Sequence, residues 1–159
     1  MIDPLLNLQP DDEHNRLLVE NVHPSEWQNP TPDGRYNLVV LGAGTAGLVA
    51  AAGAAGMGAK VALIERQIMG GDCLNTGCVP SKAIIRSSRI KSYIDRSIEF
   101  GISAGKVETV FPAVMQRVQN VITQIEPHDS VARYTELGVD CVAGPAKITP
   151  PWTGEGNGE

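Results

Sequence analysis

Tyr36-Asn37-Leu38-Val39-Val40-Leu41-Gly42-Ala43-Gly44-Thr45-Ala46-Gly47 is the stretch that decides the fold. Its first half is a short, nearly unbroken apolar run, the pattern of a parallel strand buried on both faces. Its second half carries Gly-x-Gly-x-x-Gly. An alanine-rich helix is expected from about Ala46 to Met57, ending near Gly58, then a second buried strand from Lys60 to Glu65. Such a strand-helix-strand unit is right-handed and builds a parallel sheet. Each glycine of the turn has a physical task. Gly42 permits the tight bend, Gly44 lets backbone N–H groups approach a pyrophosphate, and Gly47 lets helix and strand pack closely. The helix start adds free N–H donors and a positive dipole end. Glu65 lies 18 residues beyond Gly47, where a carboxylate can accept ribose hydroxyls. A glycine-rich packing turn is the plainer reading, but the flanking elements favour a dinucleotide. The motif does not separate FAD from NAD, and neither does Arg66 beside Glu65.

Outward from this unit, residues 1–35 read as an arm. A short helix is expected from about Pro10 to Val22, with Leu17, Leu18 and Val22 on its apolar side. His23-Pro24 stops it, and Asn29-Pro30-Thr31-Pro32-Asp33-Gly34 reads as turn and linker. After the second strand, residues 68–78 read as a loop. Helices follow from Pro80 to Tyr93 or Phe100, from Val110 to Ile125, and over Ser130–Leu137. In the middle one, Val114, Val118, Val121, Ile122 and Ile125 recur at helical spacing. Strands are expected over 139–143 and 146–148. From Pro150 to Glu159 the text has no core pattern and reads as a tail or a cut point.

Composition bounds the function. At roughly 150 residues per domain, 159 residues make one domain with an arm. A 42% hydrophobic content supports a packed core. The net charge of -5 argues against nucleic acid or anionic membrane as partner. No apolar run approaches the roughly 18 residues of a membrane span. The acidic start, Met1 to Arg16, has no basic-then-apolar leader pattern, so a cytoplasmic location is expected.

Two of the three cysteines sit together in Gly70-Gly71-Asp72-Cys73-Leu74-Asn75-Thr76-Gly77-Cys78-Val79-Pro80-Ser81-Lys82. In a reducing compartment such a pair reads as catalytic, redox-sensing or metal-binding. Five residues of regular helix rise about 7.5 Å, beyond the Cα separation of about 7 Å that a disulfide tolerates. The pair closes only if the segment is distorted, and Asn75-Thr76-Gly77 are weak helix formers that allow it. Pro80 suits a first helical turn. That puts Cys78 just before a helix N-terminus, where the dipole stabilises a thiolate. Lys82 is unfavourable with that dipole, so a nearby thiolate or an electron-rich ring is expected beside it. Cys141, in an apolar strand, reads as core. No second close cysteine pair completes a zinc site, so no metal is expected.

The cysteine segment resembles the redox-active disulfide motif of the FAD-dependent pyridine nucleotide-disulfide oxidoreductases, the group of lipoamide dehydrogenase, glutathione reductase and mercuric reductase. The likeness spans roughly Tyr36 to Ile148, with both motifs in family order. Ser81 before Lys82 is more like lipoamide dehydrogenase and mercuric reductase, and Asp72 leans toward the mercuric-reductase branch. The resemblance implies an α/β fold: a Rossmann-like FAD-binding domain with a parallel sheet over 36–149, present as its N-terminal part. It implies FAD as cofactor, bound by Gly42, Ala43, Gly44, Thr45, Ala46, Gly47, Glu65, Arg66, Gly71, Asp72, Ala143 and Gly144, with Cys73, Cys78 and Lys82 against the flavin. It implies three catalytic residues. Cys78 would be the thiol nearest the flavin, Cys73 the interchange thiol facing substrate, and Lys82 a stabiliser of reduced flavin. Electrons would pass from NAD(P)H through FAD and the disulfide to a small-molecule disulfide or a metal ion.

The family also has an NAD(P) domain, a dimerisation domain and a histidine-glutamate pair from the partner subunit. None is visible here, so the chain reads as part of a homodimeric parent, inactive alone. A stand-alone nucleotide-binding module that toggles Cys73 and Cys78 is the alternative. The sequence does not distinguish lipoamide, glutathione or mercuric ion, nor NADH from NADPH. It shows no preceding heavy-metal-binding domain with its own cysteine pair.

Overall fold

Val61-Ala62-Leu63-Ile64-Glu65 offers water no polar side until its last residue, and it forms the middle of the sheet. The computed structural model describes residues 8–149 and 154–156. Three strands, β1 (Leu38–Leu41), β2 (Val61–Glu65) and β3 (Val139–Ala143), lie in the order β1-β2-β3. Both pairings are parallel, with Leu38 opposite Val61 and Val61 opposite Val139. Every residue of β2 is buried; β1, expected to be buried on both faces, is instead an edge strand that leaves Val39 and Leu41 exposed.

Between β1 and β2 runs helix α2 (Thr45–Gly56). Four α-helices and two 3₁₀ turns, Ser97–Phe100 and Glu126–Asp129, then separate the sheet's second and third strands, the helices being α3 (Gly71–Asn75), α4 (Cys78–Asp95), α5 (Phe111–Ile125) and α6 (Val131–Glu136). The expected helix over 110–125 is α5, and its stripe points inward: Val118 and Ile122 are buried, and Val114, Val121 and Ile125 half-buried. The small antiparallel pair β4 (Ala146–Ile148) and β5 (Gly154–Gly156) lies beyond β3. Most of the tail expected over 150–159 lies outside the described residues, but β5 falls within it and pairs.

Two local expectations are corrected. The stretch 68–78 is not a plain loop, because α3 occupies its middle. Gly70 (φ 85) is the cap through which the chain turns into α3. A Cβ on Gly70 would come within 2.5 Å of the Leu74 side chain. The next helix begins at Cys78, two residues before Pro80, with Gly77 as its cap. Proline is tolerated there because first-turn amides have no intrahelical acceptor.

The arm is part of the packed body. Helix α1 (Glu13–Val22) is capped by the Asp12 carboxylate, which accepts from the Asn15 amide at 2.9 Å. Its residues Leu18 and Val22 join the core with Leu63, Met69, Leu74, Val118 and Tyr134. Beyond it, the Trp27 indole donates to the Cys141 carbonyl at 3.1 Å. Asn29 pairs with Ala143 as a peptide group would: its Nδ2 donates to the Ala143 carbonyl at 2.9 Å, and its Oδ1 accepts from the Ala143 amide at 2.7 Å.

Candidate functional site

The glycine turn has the geometry its spacing implies. Gly42 has φ 96, a conformation that side chains resist. A Cβ on Gly47 would stand 1.9 Å from the Gly42 carbonyl oxygen, so α2 lies on β1 closer than any side chain allows. A Cβ on Gly44, by contrast, would meet nothing within 4 Å. The first intrahelical bond runs from the Leu48 amide to the Gly44 carbonyl at 2.9 Å. The amides of the preceding residues therefore precede the helical ladder and have no intrahelical acceptor.

Glu65 closes the other side. Its Oε2 accepts from the Ala43 amide at 2.7 Å and its Oε1 from the Gln67 amide at 2.8 Å. These bonds explain how a buried carboxylate is tolerated at the end of β2. They also commit the Ala43 amide to Glu65 rather than to a phosphate. A carboxylate has about four acceptor sites, so two remain for ribose hydroxyls. Arg66 is exposed. Ala143, expected to touch adenine through its backbone, has both polar groups engaged by Asn29, and the Gly144 amide donates to the Glu65 carbonyl at 2.8 Å.

The cysteine segment is zipped onto the turn. The Gly70 amide donates to the Ala43 carbonyl at 2.9 Å, and Gly44 and Gly70 form an isolated parallel bridge. A Cβ on Gly71 would stand 2.8 Å from the Gly44 Cα. Between α3 and α4 the chain folds back on itself: the Gly77 amide donates to the Asp72 carbonyl at 2.5 Å. This is the distortion that a regular helix lacks, and it brings the Cys73 and Cys78 thiols near enough for each to shift the ionisation of the other. A cleft of about 330 Å³ runs beside the junction, lined by Glu65, Gly71, Asp72 and Asn75 and by Asn15 and Leu18 of α1.

The two thiols differ. The Thr45 hydroxyl, and then the Cys78 thiol, donate to the Cys73 sulfur and hold its pKa below the ordinary thiol value, with the Lys82 charge adding to this. Cys78 moves the other way, raised by its hydrogen bond to Cys73 and by the negative charge forming there. The two shifts belong to one interacting pair, and the dipole at the start of α4 still acts on Cys78, its first residue. Lys82 is exposed on α4. Cys141 is buried, and burial pushes its thiol up to about 11. Among the described residues, no cluster of three or more His, Cys, Asp or Glu is placed to hold a metal ion, and no helix is long and apolar enough to cross a membrane.

Residues 36–146 match the family described as pyridine nucleotide-disulphide oxidoreductase. The chain belongs to this family. Similar proteins include a dihydrolipoyl dehydrogenase of Bacillus subtilis, 41% identical over 57% of this chain and 19% of that protein. Another, from Acholeplasma laidlawii, is 38% identical over 57% of this chain and 27% of that protein. A mercuric reductase of Staphylococcus aureus is 31% identical over 80% of this chain and 23% of that protein. The chain thus spans about a fifth to a quarter of the length of these relatives.

Family membership carries the cofactors of the whole flavoprotein oxidoreductase, FAD and NAD(P)H. The residues present fit a dinucleotide: open space at Gly44, first-turn amides without intrahelical acceptors beside it, and a carboxylate with acceptor capacity at the end of β2. Sequence reasoning missed the Thr45 side chain and the roles of Trp27 and Asn29. The β-turn composition around Asn29 hid a residue that pairs with a strand 114 positions away.

Proposed function

We propose that this chain is the FAD-binding, dithiol-carrying part of a flavoprotein reductase. The observation that carries the reading is the junction itself: Cys73 on α3 and Cys78 at the start of α4, with the entry to α3 bridged by backbone to the glycine turn. Glycine turn, Thr45, Ala46 and Glu65 would hold the dinucleotide. When bound, FAD supplies the two-electron carrier that returns the closed pair to dithiol at the expense of NAD(P)H.

The chain's own residues account for the exchange. The Cys73 thiolate attacks a substrate disulfide, forming one S–S bond and breaking another, and the first substrate thiol leaves with a proton. Cys78 then loses its proton and attacks the Cys73 sulfur, releasing the second thiol. Two electrons have moved to the substrate and a Cys73–Cys78 disulfide remains. Lys82, whose positive charge acts on both sulfurs, favours thiolate in each step. A lipoamide-type disulfide is the substrate class this chemistry fits. Mercuric ion is the second reading, supported by Asp72 and by the mercuric reductase match, the longest in span of the three relatives above. The parent is read as a cytoplasmic homodimer, since a paired dithiol of this kind works in a reducing compartment.

The test takes the purified chain with added FAD, then glutathione disulfide. Retained flavin after desalting and a Cys73–Cys78 cross-link by peptide mapping are the expected results. A folded chain that retains no flavin and forms only separate glutathione adducts overturns the reading.

A further inference from the structure

The arm ends against the loop that follows the Glu65 carboxylate. His23-Pro24 stops α1, and the carbonyls of a last helical turn have no intrahelical donor. The Val22 carbonyl takes a donor from outside: the Met69 amide donates to it at 3.1 Å. One residue on, the His23 Nδ1 meets the Gln67 carbonyl. A carbonyl only accepts, so this ring nitrogen carries the proton and donates. Gln67 is also held from its other side, where its amide donates to Glu65 Oε1 at 2.8 Å. Glu65 Oε2 accepts from the Ala43 amide at 2.7 Å, and the Ala43 carbonyl accepts from the Gly70 amide at 2.9 Å. The stretch 66–70 is thus tied at its end to the glycine turn and in its middle to both the carboxylate and the arm. The His23 ring is itself placed. It stands edge-on to Trp27 with ring centroids 5.5 Å apart, and Trp27 is bonded to Cys141 of β3. Asn15 and Leu18, earlier in the same helix, line the cleft that Glu65, Gly71 and Asp72 share.

We infer that His23 is a positioning residue for the cofactor. Its ring N–H holds the Gln67 carbonyl and so fixes the loop whose amide orients the Glu65 carboxylate and whose end sets Gly70 against the turn. The residue lies outside the stretch 36–146 that carries the family match. It acts through Gln67 rather than by contact with a ligand. With the donor removed, the Gln67 carbonyl turns to water, the loop opens more often, and the carboxylate loses its fixed aim. A single hydrogen bond of this kind contributes modestly, so a several-fold change is the scale expected. The inference rests on the proposed function only in taking FAD as the ligand of this turn.

The test reads the loop and the ligand separately. Hydrogen–deuterium exchange is followed on the full reduced chain without flavin, in the peptide that holds the Gln67, Met69 and Gly70 amides. FAD affinity is then measured by quenching of flavin fluorescence. His23→Phe keeps a ring against Trp27 and removes the donor. It is expected to raise exchange of those amides about fivefold, to leave the β2 amides at the parent rate, and to weaken FAD binding by a similar factor. His23→Asn, whose Nδ2 falls where the ring Nδ1 stood, restores both. Unchanged exchange in His23→Phe overturns the inference. So does raised exchange with unchanged FAD affinity, and so does protection lost equally throughout the chain, the mark of a merely structural role. Should His23→Phe melt early, His23→Asn against His23→Ala decides the point, because equal exchange in those two also overturns it. A parent chain that holds no flavin tells against the proposed function, and the exchange comparison still decides whether His23 holds the loop.

Discussion

Gly47→Ala tests how closely the phosphate-side helix lies on its strand. The added Cβ would stand 1.9 Å from the Gly42 carbonyl oxygen and 3.1 Å from both the Gly42 carbonyl carbon and the Val40 side chain. Ordinary contact begins near 3.4 Å, so helix and turn must separate by about 1.5 Å. The obstacle is backbone and has no rotamer through which to yield. Overpacking of this kind costs about 3 kcal/mol or more. Alanine returns about 1 kcal/mol of helix propensity over glycine, leaving a net loss of about 2 kcal/mol. At this chain length that lowers Tm by about 4–8 °C. Gly44→Ala is the matched control: its Cβ enters open space and φ is -76, so the melt stays within about a degree of the parent. The same methyl stands where a pyrophosphate would approach, so Gly44→Ala should lose FAD binding while remaining folded. Circular dichroism melts and flavin retention read the two effects separately. A Gly47→Ala protein that melts with the parent would refute the packing argument, and a Gly44→Ala protein that binds FAD normally would refute the assignment of the space.

Three further outcomes follow from the same structure. With an aromatic disulfide reagent, the folded reduced chain should titrate two thiols quickly, and the third, Cys141, only after denaturant, because it is buried with its thiol pushed up to about 11. Asn29→Ala removes both partners of the Ala143 backbone and should cost about 1 kcal/mol, with Asn29→Asp intermediate because it keeps only the acceptor. Glu126 is fully buried, accepts from Asn21 at 3.2 Å, and has one oxygen with no partner among the described residues. Burial raises its pKa above the unfolded value. Its ionised form therefore weighs against folding at neutral pH, and that penalty vanishes as pH falls through the folded pKa toward about 4.3. Glu126→Gln should melt higher than the parent near neutral pH, with the gap closing on acidification.

What the sequence disclosed was whatever is local. Continuous apolar runs marked β1 and β2, although only the central β2 is buried throughout and β1 lies at the edge, and the glycine spacing marked the turn because each glycine answers a backbone constraint. The α5 stripe was visible for the same reason: its period is a property of one helix. What stayed hidden was tertiary. Gly70 and Gly71 read as loop residues, yet the left-handed turn they permit is what starts α3 and sets it against Gly44. The influence of Thr45 on the Cys73 thiol comes from 28 positions earlier in the chain, and no spacing rule announces it. The arm's apolar residues signalled a helix but not its seat, which depends on α5, α6 and the 3₁₀ turn Glu126–Asp129 together.

The side-chain amide laid along β3 has a consequence for assembly. With Trp27 and Asn29 holding the outward-facing groups of Cys141 and Ala143, that margin of the sheet is sealed against further pairing. The opposite margin belongs to β1, whose Val39 and Leu41 remain exposed. The sheet can therefore grow in one direction only, and any extra strand, from whatever source, must join beside Leu38–Leu41.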